Sequence, residues 1–132
     1  MTETPFASAK RIVVKTGSAL VAEHGQPRHA WLEKLAFDIV SLRSRGFQII
    51  LVSSGAVALG RKSVGNSVSN RLDQKQAAAA IGQLRLMSAI GRAFEPHDVT
   101  IGQALLTLGD TENRRRWLNA RATLETLLEI GT

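Results

Sequence analysis

The chain predicts an α/β protein with a mainly parallel sheet, and three features of the sequence carry that prediction. Residues 11–15 (RIVVK) and 47–52 (FQIILV) are short runs rich in β-branched and apolar side chains. Between them, residues 29–45 repeat apolar side chains at helical spacing. Each apolar run then stops at a Gly/Ser turn, Thr16-Gly17-Ser18 in the first case and Ser53-Ser54-Gly55 in the second. Strand, helix and strand in that order form a βαβ unit, whose parallel strands need a right-handed helical crossover.

The elements follow along the chain. In the first run Ile12, Val13 and Val14 stand together without alternating with polar residues, the pattern of a strand buried on both faces. Residues 21–28 read as a loop punctuated by Gly25 and Pro27. Leu32, Leu35, Ala36, Ile39 and Leu42 form the apolar stripe of the helix over 29–45, which Gly46 closes. After the second strand, residues 55–60 suggest a short helix and 61–70 a polar loop. A long helix is expected over 72–94, with Ala77, Ala80, Ile81, Leu84, Met87, Gly91 and Phe94 on its inner stripe and Pro96 at its end. Residues 99–107 are a third strand candidate. Asp110 or Thr111 would cap a last helix that turns Trp117, Leu124, Leu127 and Leu128 inward. Three strands make a small sheet for this class, so the chain is expected to be one part of a longer domain.

Composition narrows the function. At 132 residues the chain suits one domain, and 44% hydrophobic with 21% charged residues is globular rather than disordered. It has no cysteine, which excludes disulfides, thiolate metal ligands and a thiol nucleophile. No apolar run approaches the roughly 20 residues that span a bilayer, so no membrane role and a cytoplasmic location are expected. A net charge of +6 suggests an anionic partner. Nucleic acid is not expected: aromatic residues are 5%, tyrosine is absent, and Arg114, Arg115, Arg116 and Arg121 spread around their helix.

Two segments could hold an anion. Lys15-Thr16-Gly17-Ser18 ends the first strand, and in open α/β sheets ligands bind at the carboxyl ends of strands. Lys15 offers charge, Gly17 close backbone approach and Ser18 a hydroxyl, although the spacing is not that of a Walker A loop. The plain alternative is a lysine at the solvated end of a strand. Ser53-Ser54-Gly55-Ala56 leads the second strand into a helix, whose first N–H groups are free to meet a carboxylate or phosphate. Here the plain alternative is that Ser54 only caps the helix. A serine nucleophile is not indicated, because no G-x-S-x-G elbow is present and His24, His29 and His97 lie in no segment that suggests a base. Adjacent parallel strands would bring the two segments to one sheet edge. Phosphoryl transfer suits that arrangement, since it needs positioning and charge neutralisation above all.

Residues 13–18 (VVKTGS) and 49–60 (IILVSSGAVALG) resemble the amino-acid kinase family. Residues 75–83 (KQAAAAIGQ), 102–107 (GQALLT) and 117–121 (WLNAR) narrow the resemblance to members that phosphorylate the side-chain carboxylate of glutamate. It implies a three-layer αβα fold, ATP with Mg²⁺, and L-glutamate as acceptor in the opening step of proline synthesis. It also implies a homo-oligomer, with proline as a candidate inhibitor. Lys15 then resembles the lysine that contacts phosphate, with Gly17 and Ser18 in its turn. Ser54 resembles the serine that contacts glutamate, with Gly55 and Ala56 supplying backbone. Ala19 departs from the family, which usually has a hydroxyl residue there. On this reading residues 1–132 are the glutamate-site half of a kinase domain, without its nucleotide-binding half, and inactive alone. A non-catalytic module of the same fold that binds an amino acid or another anion, or that drives oligomerisation, is the alternative.

Overall fold

The computed structural model describes residues 8–65 and 71–132. They fall into two units, Met1–His97 and Asp98–Thr132. In the first, β1 (Arg11–Thr16) pairs in parallel with β4 (Gln48–Ser53), and α2 (His29–Ser44) is the crossover between them. The register sets Val13 against Ile50, Lys15 against Val52 and Thr16 against Ser53. The α/β class and the parallel sheet are therefore as expected, with two strands in place of three.

Burial on both faces is not. Along β1, Arg11, Val13 and Lys15 are exposed, Ile12 and Val14 are half-buried, and Thr16 is buried. A β-branched run is enclosed only where both faces are covered, and in this unit one face of β1 stays open, with Val13 61% exposed. The expected loop at 21–28 is also more ordered than its composition suggests. After the single turn of α1 (Ser18–Val21), β2 (Ala22–Glu23) and β3 (Gln26–Pro27) form a hairpin. His24 and Gly25 link them with φ of 49° and 73°, the paired positive values of a type I′ hairpin turn.

The C-terminus of α2 is a Schellman motif. Gly46, at φ 91°, donates to the Arg43 carbonyl, and the Phe47 N–H donates to that of Leu42. Leu32, Ala36 and Ile39 are its buried residues, as its apolar stripe predicts.

Helices α3 (Ala56–Val64) and α4 (Leu72–Phe94) pack closely together. Helix α3 extends into the expected loop at 61–70, of which residues 66–70 lie outside the described ones, as do residues 1–7 of the N-terminal arm. Helix α4 has the expected bounds but a different buried stripe: Ala78, Gly82, Leu86, Ala89, Ile90, Ala93 and Phe94. Ile81 and Leu84 are exposed instead. Backbone clearance decides this. A Cβ on Gly60 would overlap the Ala78 carbonyl, and one on Gly82 would overlap that of Ala56. The helices are so near that only small residues fit between them, and the larger apolar residues turn away.

In the second unit, residues 99–107 are not a strand. A strand exists only through a ladder to a neighbour, and among the described residues of this unit none is available. Helix α5 (Leu108–Glu112) starts with a capping box, in which Thr107 and Asp110 satisfy each other's backbone N–H groups. The last helix, α6 (Arg114–Glu129), is capped by Asn113 rather than by Asp110 or Thr111. Its side chain accepts from the N–H groups of Arg115 and Arg116 at 3.1 Å each. Of the inward set Trp117, Leu124, Leu127 and Leu128, only Leu128 is buried, and Trp117 stacks under the Arg121 guanidinium. Among the described residues no helix is long and apolar enough to cross a membrane.

Candidate active site

Two hydroxyls hold the strand ends together. The buried Thr16 donates through Oγ1 to Ser53 Oγ at 3.1 Å, and Ser53 Oγ donates in turn to the Ser54 carbonyl at 3.1 Å. The Ser54 N–H reaches the Thr16 carbonyl at 3.0 Å, which carries the pairing one residue beyond β4. Both chains therefore leave the sheet side by side at its carboxyl edge, where an α/β sheet presents its ligand site.

Gly55 makes the turn into α3. Its φ of 122° lies in the region L side chains avoid, and a Cβ there would stand 3.4 Å from Val21 Cγ1 and 3.9 Å from Ser18 Cα. The helix cap is this glycine and not Ser54, and no side chain caps the helix. The serine hydroxyl is thus not used as a cap, which removes the plain alternative for it.

Around this turn lies an open depression of about 610 Å³, a size ordinary for small-molecule sites. Ser18, Ser53, Ser54, Gly55, Ala56 and Arg61 are among its lining residues. The hairpin contributes Gly25 to the lining. The hairpin is anchored by the Arg28 N–H to the Val21 carbonyl at 2.8 Å and by Arg28 Nη1 to the Ala19 carbonyl at 3.1 Å. Of the residues singled out in the sequence, the structure brings Ser18, Ser54, Gly55 and Ala56 into one wall. Lys15 and Gly17 are not lining residues. Lys15 is exposed on the open face of the sheet, one residue before Thr16. Gly17 has an ordinary φ of −77°, and a Cβ on it would meet nothing within 4 Å. The fold itself does not require glycine at that position, and the space in front of it is clear. His24, His29 and His97 do not line the depression.

Arg61 was not visible as a site residue in the sequence. It fell at the start of an apparent polar loop, and only the length of α3 places it on the same helix face as Val57 and Ala58. Among the described residues there is no group of three His, Asp or Glu placed to hold a metal ion.

The family model for the amino acid kinase family matches residues 10–132, nearly the whole chain. The chain belongs to the amino acid kinase family. Its curated relatives include a glutamate 5-kinase of Paramagnetospirillum magneticum, 54% identical over 130 residues, which covers 97% of this chain and 35% of the relative. A glutamate 5-kinase of Caulobacter vibrioides is 55% identical over 129 residues, covering 96% of this chain and 34% of the relative. One from Ruegeria is 49% identical over the same length. The chain spans about a third of the length of these relatives.

Proposed function

We propose that this chain forms the acceptor side of an ATP-dependent glutamate 5-kinase. The observation that carries the proposal is the pairing of Thr16 with Ser53, which sets both motif turns at one sheet edge beside an open depression. The names of the relatives supply the substrate. In the reaction an oxygen of the glutamate side-chain carboxylate forms a bond to the γ-phosphorus, the bond from that phosphorus to the bridging oxygen breaks, and ADP leaves with the electron pair. The carboxylate is ionised at neutral pH, so no general base is needed. The obstacle is bringing two anions together.

Ser54 donates its hydroxyl to the acceptor, and Gly55 and Ala56 offer backbone N–H groups at the start of α3. Lys15 neutralises phosphate charge, with the clear space in front of Gly17 and the Ser18 hydroxyl admitting the nucleotide. On this reading Mg²⁺ arrives on the phosphates of ATP. A cytoplasmic setting fits an ATP-dependent reaction. A homo-oligomer belongs to the same reading, through a surface other than the sheet face that carries Lys15. Inhibition by proline would act through the same acceptor site.

A chimera tests the reading: this chain replaces the matching third of the Paramagnetospirillum relative, and ADP release is followed with glutamate. Release that depends on glutamate and is lower with aspartate is expected. Lys15→Ala should cost kcat about 100-fold or more, by comparison with loss of one oxyanion donor. Ser54→Ala should raise the KM for glutamate by about 10-fold and leave that for ATP unchanged. An equal effect of Ser54→Ala on both substrates would overturn its role.

A further inference from the structure

The depression has a cation that the acceptor reading leaves without a task. Arg61 lines it, and among the described residues no carboxylate or carbonyl pairs with its guanidinium. Its basic neighbours are engaged differently. Lys62 lays its aliphatic stem 3.1 Å from the position of a Cβ on Gly25. Arg85 donates to the Leu59 carbonyl at 2.8 Å and to Ser63 Oγ at 2.9 Å.

Arg61 stands five residues into α3 from Ala56, about 7.5 Å along the helix axis. Side chains on a helix tilt toward its N-terminus, so this one leans back toward the turn at Gly55. The first turn of α3 with the Ser54 hydroxyl, and the Arg61 fork, thus offer two separate groups that can meet an anion in the depression. Both line the one depression, whose volume of about 610 Å³ has room for a small dicarboxylate.

Chemistry decides which carboxylate goes where. A guanidinium bound bidentate to the attacking carboxylate would withdraw the electron density that must reach phosphorus, and would stabilise the ground state as much as the transition state. Held on the other carboxylate, the same contact orients the substrate without weakening the nucleophile. We propose that Arg61 binds the α-carboxylate of the acceptor amino acid and so selects a substrate that carries one. This rests on the reading of the depression as the acceptor site.

The test is a ¹⁵N NMR titration of this chain, which detects millimolar binding, with L-glutamate and with 4-aminobutyrate, an analogue lacking only the α-carboxylate. Both ligands should shift the amides of Ser54, Gly55 and Ala56, whereas L-glutamate alone should shift the Arg61 Nε–H. Arg61→Ala should weaken L-glutamate at least about 10-fold, down to the affinity of 4-aminobutyrate, and leave the latter unchanged. Arg61→Lys, with charge but no fork, should recover only part of the loss. If L-glutamate shifts the Ser54–Ala56 amides but not Arg61, or if Arg61→Ala weakens both ligands equally, the proposal falls and the acceptor site stands. If L-glutamate shifts neither set, the acceptor site falls and the proposal with it.

Discussion

The glycines of the two strand-end turns illustrate different demands on a residue. At Gly55 the backbone itself requires glycine, because φ is 122°, although a Cβ there would meet Val21 only at ordinary contact distance. Gly55→Ala should lower stability by about 1–3 kcal/mol, measured by urea denaturation. At Gly17 the backbone is ordinary and the space open. Gly17→Ala should change stability by less than about 0.5 kcal/mol while weakening binding of inorganic phosphate. A large loss of stability there would assign Gly17 to the fold and not to the ligand. Both turns were legible in the sequence because Gly and Ser at the end of an apolar run have few other uses. Arg61 was not, since Arg61-Lys62-Ser63 has the same composition whether it continues a helix or begins a loop.

Among the elements, α2 and α4 were readable from apolar residues at helical spacing, and β1 and β4 from short β-branched, apolar runs ending at Gly/Ser turns. The orientation of α4 was not. Hydropathy ranks Ile81 and Leu84 above Ala78 and Gly82, but the approach of α3 reverses the order by admitting only backbone-sized surfaces. Gly82→Ala should therefore destabilise the first unit by about 1–3 kcal/mol, as overpacking does, even though alanine favours helices. Unchanged thermal unfolding of that variant would mean the helices can separate at no cost. The third strand failed for a different reason, since apolar content cannot supply the partner a ladder needs. At the start of α5 the Asp110 carboxylate is held below its ordinary value of 3.8, chiefly by the Thr107 N–H, then by the Thr107 hydroxyl. A carboxylate depressed by folding stabilises above its unfolded value and loses that contribution as pH falls through the folded one. The α5 turn should accordingly be intact at neutral pH and fray below about pH 3.8. Amide exchange across 108–112 follows this, and Asp110→Asn should abolish the dependence.

At the scale of the whole chain, a net charge of +6 coexists with an uncovered sheet face on which Val13 and Val52 are 61% and 47% exposed. Apolar side chains exposed on an open sheet face favour self-association. Val13→Lys should reduce it, as seen by light scattering, and leave the denaturation midpoint unchanged because the residue is already in water. The pairing of Thr16 with Ser53 has a consequence in time as well as in space. These residues are 37 positions apart, so no rung of the parallel ladder can form until that length of chain has closed on itself. Helix α2 takes up 16 of the intervening residues and can form locally within microseconds, which shortens the loop left to close. Lys34→Gly, at an exposed α2 position, should then slow refolding in stopped-flow traces. Thr16→Val, at the end of the ladder, should mainly hasten unfolding. The crossover helix would thus be the pacemaker of the fold, and the sheet edge that carries the candidate site the last part to arrive.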